Sequence, residues 1–169
     1  MADDWNERNG GKTTISVGSM ELKRSKKSSD SDFQNESAVL RKMNKKFHFV
    51  EFVDMGVYYG FCFIVMQLLG PNLSQLRKMR RDNKFSTSTS LRLSLQCFEA
   101  IESLHEVGLI HRDIKPTNFA IGCNETNTTR VYLLDFGLVR RYLNSDGTHR
   151  KSRGRVPFRD WLSLRGKLW

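Results

Sequence analysis

The sequence predicts an α+β fold, an antiparallel sheet with one helix in its first part and helices around a polar loop in its second. Residues 47–54 and 59–67 are rich in aromatic and β-branched side chains, as strands are. Residues 30–47 and 90–107 repeat apolar side chains at spacings of three, four and seven, as helices with one buried face do. Two short polar strings, His111-Arg112-Asp113-Ile114-Lys115-Pro116-Thr117-Asn118 and Asp135-Phe136-Gly137, follow the second helix and carry the chemistry.

Residues 1–14 read as a flexible tail. Gly10-Gly11-Lys12-Thr13 hints at a phosphate loop, but the glycine required five residues before Gly11 is Asn6, and no G-x-G-x-x-G pattern replaces it. Residues 14–23 alternate weakly through Ile15 and Val17 and predict a strand. Ser31 and Gln34 form a capping-box pattern that opens a helix whose Phe33, Leu40, Met43 and Phe47 face the core. Glu36 falls on that same face, where a carboxylate needs a partner. Asp54-Met55-Gly56 separates the next two strands. Gly70-Pro71 breaks the chain, and Asn72 caps a short helix bearing Leu73, Leu76 and Met79. After a polar loop over residues 80–89, residues 90–107 form a core helix with Leu91, Leu95, Phe98, Ile101 and Leu104, stopped by a left-handed Gly108. His105 reads as a capping or packing residue and His111 as a structural one. The polar stretch 122–130 turns between two short strands.

Composition narrows the class. With 38% apolar and 27% charged residues over 169 positions the chain has a globular profile. Cys62, Cys97 and Cys123 lack metal-type spacing and read as reduced thiols, which points to the cytoplasm or nucleus. The start lacks a signal-peptide pattern, and the longest apolar stretch, residues 57–69, is too short to span a bilayer, so no membrane partner is expected. The net charge is +10, of which residues 138–169 supply nine Lys/Arg against two Asp. Basicity concentrated after Asp135-Phe136-Gly137 suits acidic or phosphorylated peptides better than nucleic acid.

Phosphoryl transfer needs positioning and neutralisation of charge on the transferred group, which few residues can supply. Asp113 has the place of the carboxylate that accepts the attacking hydroxyl's proton. Asn118 offers a neutral amide oxygen to Mg²⁺, and Lys115 can reach both the γ-phosphoryl group and Asp113. Asp135 supplies a carboxylate for the Mg²⁺ bridging the ATP phosphates, and Gly137 frees the backbone to turn. Chance co-occurrence is the bland reading; eight residues in register and a strand, Val131-Tyr132-Leu133-Leu134, delivering Asp135 weigh against it.

These strings resemble the eukaryotic protein kinase superfamily, and Lys115-Pro116 is similar to its serine/threonine branch. Val65-Met66-Gln67-Leu68-Leu69-Gly70-Pro71-Asn72-Leu73, Ile101-Glu102-Ser103-Leu104-His105 and Asn118-Phe119-Ala120-Ile121-Gly122 look like the casein kinase 1 group. Leu133-Leu134-Asp135-Phe136-Gly137-Leu138-Val139-Arg140-Arg141-Tyr142 is most similar to its tau-tubulin kinase-like branch, with many nematode relatives. The resemblance implies a partial kinase-like fold: an N-lobe over residues 15–69, part of a C-lobe over 70–159, and a divergent tail over 160–169, as in a truncated domain. It implies ATP and Mg²⁺ as cofactors, with transfer to serine or threonine hydroxyls of a protein substrate and a monomeric state. Lys23 is then the strand lysine on the α- and β-phosphates, paired with Glu36, or else one of a solvated charge run with Lys26 and Lys27. Met66 is implied as the gatekeeper beside adenine, and Gln67 and Leu69 as backbone hinge contacts. Two other readings stand beside it: a catalytically impaired fragment acting as a binding or regulatory module, and a nucleic-acid binder recruited through the basic tail.

Overall fold

The computed structural model describes residues 13–17, 20–25, 31–144 and 146–151. Its first layer is an antiparallel sheet of order β1-β2-β4-β3, formed by β1 (Thr13–Val17), β2 (Met20–Ser25), β3 (Phe52–Tyr58) and β4 (Phe61–Gln67). The single strand expected over residues 14–23 is therefore two, with the turn-forming dipeptide Gly18-Ser19 between them in sequence.

Helix α1 (Ser31–Met43) buries Phe33, Glu36, Val39, Leu40 and Met43, the face that the spacing predicts. It stops before Phe47, which is 61% exposed rather than in the core. Asn44 and Lys45 explain the stop. The Asn44 side chain accepts from Phe52 N at 3.1 Å and donates to Phe52 O at 3.3 Å, and Lys45 turns the chain at φ 67°. Phe47 instead lies under the Arg130 guanidinium, 3.9 Å from its ring centre. The Ser31 capping box lies outside the described side chains.

The β3–β4 hairpin turns at Tyr59-Gly60, with φ of 46° and 76°, not at Asp54-Met55-Gly56. Two successive positive φ values match the right-handed twist of the flanking strands, and glycine takes one of them without a steric cost. Gly56 lies inside β3 instead, where a Cβ would sit 2.7 Å from the Phe63 ring. β4 alternates, burying Cys62, Ile64 and Met66 against α1 and the core.

β5 (Leu69–Asn72), β7 (Phe119–Gly122) and β8 (Val131–Leu133) form a second sheet in the order β5-β7-β8; β6 (Leu109–Ile110) pairs with β9 (Arg140–Arg141). Gly70-Pro71 thus lies within β5. Helix α2 (Leu73–Lys78) is capped reciprocally, Asn72 accepting from Gln75 N and Gln75 accepting from Asn72 N, both at 2.9 Å. Met79 falls at its C-terminal cap and is exposed.

Helix α3 (Thr87–Glu106) begins three residues earlier than its apolar pattern suggests, because the Ser86 hydroxyl accepts from Thr89 N at 3.2 Å. Gly108 ends it at φ 77°. Ala100 and Leu104 are buried against the sheet, but Leu91, Leu95 and Phe98 are 67%, 61% and 70% exposed. The expectation of a core helix holds for one face only: among the described residues nothing covers the other.

Candidate catalytic site

β6 leads into the loop 111–118, a 3-10 turn at Pro116–Asn118 closes it, and β7 carries the chain away. The turn brings Asn118 back onto Asp113. Its Nδ2 donates to the Asp113 carboxylate at 3.0 Å and to the Asp113 carbonyl at 2.9 Å. Lys115 Nζ donates to the same carboxylate oxygen at 2.6 Å. Both members of that pair are partly exposed, so Lys115 and Asp113 face a space that a substrate can enter. The three residues expected to share the transfer step are thus one hydrogen-bonded group.

Asp135 arrives from β8 through Leu134, which the loop grips twice. Leu134 N donates to Asn118 O at 2.9 Å, and the His111 Nε2–H donates to Leu134 O at 2.9 Å. The same ring accepts from Asp113 N through Nδ1 at 3.3 Å, so the two bonds select the neutral Nε2–H tautomer. Burial, the dominant influence, lowers the His111 pKa from 6.5, against the opposing pull of the Leu134 bond, Asp113 and Asp135. His111 is structural, as its sequence context suggests, and its task is to join the Asp113 loop to the Asp135 strand. Phe136 is fully buried, stacked on Phe49 with centroids 5.8 Å apart and edge-on to His111 at 5.6 Å. Asp135 itself has a φ of 63° and Arg112 one of 69°, left-handed conformations that these anchors hold in place.

The donor set fits a hard divalent cation. With Asn118 Nδ2 used by Asp113, the amide oxygen is the atom left for a metal, and Asp135 adds a carboxylate. Oxygen donors of this kind suit Mg²⁺. A Mg²⁺ ion there would neutralise phosphate charge.

At the other end of the sheet, Met66 is buried in β4 opposite Glu21 and Phe52. Gln67 N donates to Glu51 O at 2.9 Å, and Leu69 pairs with Gly122 across β5 and β7. The hinge segment is thereby tied to the strand that follows the catalytic loop. Glu36 is 4% exposed on α1. Lys23 lies in β2 opposite Ile64, and its side chain lies outside the described residues, as does any pairing with Glu36.

Residues 8–157 match the family model described as the protein kinase domain. The chain belongs to the protein kinase family. Its α+β layout is a partial kinase fold, with the antiparallel sheet and α1 in one lobe and α3 with the catalytic loop in the other. The chain is similar to a probable serine/threonine-protein kinase of Dictyostelium discoideum, 40% identical over 124 residues, 73% of this chain and 25% of that protein. It is also similar to the serine/threonine-protein kinase spe-6 of Caenorhabditis elegans, 40% identical over 99 residues covering 59% of this chain and 26% of that one. A probable casein kinase I homolog of Encephalitozoon cuniculi is 38% identical over 118 residues, 69% of this chain and 33% of that protein. The chain thus spans between a quarter and a third of the length of these relatives.

Sequence reasoning passed over several residues of the kinase site. Arg112, whose Nε donates to Leu138 O at 2.5 Å, opens onto a groove of about 1210 Å³ between α1 and the segment after Asp135. Lys42, Arg140, Arg141, Arg150 and Lys151 also line it, and no carboxylate does. Only the charge count after residue 138 hinted at this. His48 is buried, bonded to Val131 O at 2.8 Å and to Glu99 at 3.1 Å, and links α3 to the strand that delivers Asp135. Nothing local in sequence marks that bond, which joins residues 83 positions apart.

Proposed function

We propose that this chain carries the catalytic loop and nucleotide site of an ATP- and Mg²⁺-dependent serine/threonine protein kinase of the casein kinase 1 group, in its tau-tubulin kinase-like branch. The observation that carries the reading is the hydrogen-bonded set Asp113, Lys115 and Asn118, with Asp135 held beside it through Leu134. Asp113 accepts the proton of the substrate hydroxyl as it attacks the γ-phosphorus. Lys115 balances charge on the transferred group, and Asn118 and Asp135 hold the metal. Lys23 and Glu36 secure the upstream phosphates, while Met66, Gln67 and Leu69 form the adenine pocket.

The basic groove beside Arg112 supports acidic or phosphorylated protein substrates, since clustered guanidinium groups pair with carboxylates and phosphates through paired N–H donors. We place the protein in the cytoplasm or nucleus, acting as a monomer. Asp113→Asn in the 169-residue chain is expected to abolish ³²P transfer to an acidic protein such as casein while ATP affinity stays within about threefold. Parallel loss of transfer and ATP binding would sink the assignment of Asp113 as the base. A second reading, a module that binds nucleotide or protein without turnover, is favoured by the uncovered face of α3. ATP binding with no transfer by the parent chain would select it.

A further inference from the structure

The apolar stripe on α3 runs through Leu91, Leu95 and Phe98, and Glu102 and His105 continue it towards the helix end. At 100° per residue these five positions lie within about 80° of the helix circumference. Beside the stripe, Leu93, Phe98, Ile101, Ile114, Pro116 and Phe119 line an apolar pocket of about 480 Å³ against the catalytic loop. An uncovered surface of this kind in a folded chain marks a place where something binds.

The described chain leaves at the end of that same stripe. Tyr142 N donates to Gly108 O at 3.0 Å, and its hydroxyl donates to His105 O at 3.0 Å. Arg150 N donates in turn to Tyr142 O at 2.8 Å, so Lys151 stands beside the C-terminal end of α3. The next six residues, 152–157, can bridge up to about 20 Å. Residues 158–169, Phe-Arg-Asp-Trp-Leu-Ser-Leu-Arg-Gly-Lys-Leu-Trp, then show a pattern that the kinase reading leaves unused. Placed on a helix, Phe158, Trp161, Leu162, Leu164, Leu168 and Trp169 occupy an arc of about 160°. Arg159, Asp160, Ser163, Gly166 and Lys167 fill the rest. Arg165 falls within the apolar arc, where its stem can lie along an apolar surface with the charge reaching water.

We infer that residues 158–169 fold back as an amphipathic helix, antiparallel to α3, and cover the Leu91–Leu95–Phe98 stripe and the adjoining pocket. Twelve helical residues span about 18 Å, close to the roughly 21 Å from Leu91 to His105. The first turn of the tail reaches α3 where Glu102 and Glu106 are exposed, and it brings Arg159 to them. A helix this short, with Gly166 inside it, does not hold together alone in water, so its formation depends on the surface it meets. Seated there, it supports Ile114, Pro116 and Phe119 and through them the loop that carries Asp113. The inference does not depend on turnover and holds for either reading of function.

Hydrogen exchange of the full 169-residue chain, read by mass spectrometry, tests it. The amides of residues 158–169 are expected to exchange roughly tenfold or more slowly than in the double variant Leu95→Ser/Phe98→Ser. A second double variant, Trp161→Ser/Leu168→Ser, should lose the same protection while the segments of α1 and β4 remain as protected as in the parent. This pair lies in the tail and serves even if the α3 pair disturbs folding. Fast exchange of the tail in the parent chain, or protection unchanged in the tail variant, would overturn the inference. So would protection that disappears on dilution together with a dimer mass in light scattering, which would identify a second copy as the occupant.

Discussion

His111→Phe isolates what the buried imidazole contributes. Phenylalanine keeps the volume and the edge-on contact with Phe136, but it leaves Leu134 O without the donor now at 2.9 Å and Asp113 N without the acceptor at 3.3 Å. An unpaired buried polar group costs about 1–3 kcal/mol, and the longer bond belongs at the low end, so the loss at neutral pH is about 2–4 kcal/mol. For a chain of this size that lowers Tm by roughly 5–15 °C. Acid should shrink the difference. Burial holds the folded-state pKa of His111 below its usual 6.5, so the unfolded chain takes up the proton first as pH falls. The stability contributed by the neutral ring is complete above 6.5 and is lost below it, by at most about 1.4 kcal/mol per pH unit, until the folded-state pKa is passed. Thermal melts of both proteins by circular dichroism at pH 8, 7, 6 and 5 measure the gap, and the other histidines titrate in both chains alike. A gap that stays constant from pH 8 to pH 5 would refute the neutral, doubly bonded ring. No gap at pH 8 would refute the contribution of its bonds.

Burial pushes the Cys97 thiol up from 9.0 to about 11. Its alkylation rate, followed by peptide mass spectrometry, should keep rising through pH 10, whereas a plateau at pH 9 would show an unshifted thiol. The same shift means that the unfolded chain ionises first above pH 9, so Cys97→Ser should lessen the loss of stability there. Asn72→Ala removes one half of the α2 capping box and should cost about 1 kcal/mol in urea unfolding. Gly122→Ala drives a Cβ into the side chain and carbonyl of Asn127, whose Oδ1 holds Asn124 N at 2.9 Å. Loss of about 1–3 kcal/mol in the same assay is expected, and a neutral effect would contradict the packing of that turn against β7.

What the sequence determined by itself was set by local chemistry. Asn72 and Gly108 bound their helices because a capping side chain and a left-handed glycine act within a few residues. Asp113, Lys115 and Asn118 meet because a single 3-10 turn separates them, so their types and spacing already implied their grouping. The tertiary structure decided what depends on distant neighbours. Phe47 left the core for Arg130, and Leu91, Leu95 and Phe98 kept the spacing of a buried face while remaining in water. Apolar periodicity states which residues share a side of a helix; whether that side is buried depends on what packs against it. The hairpin turned at Tyr59-Gly60 because the register with β4 was settled by burial of Cys62, Ile64 and Met66. Asp135 came to the loop through His111 and Leu134, a bond across 23 residues that needs β7 and β8 already paired. The chemistry was legible as residue types at fixed spacing, but its alignment required long-range hydrogen bonds that only the folded chain can close.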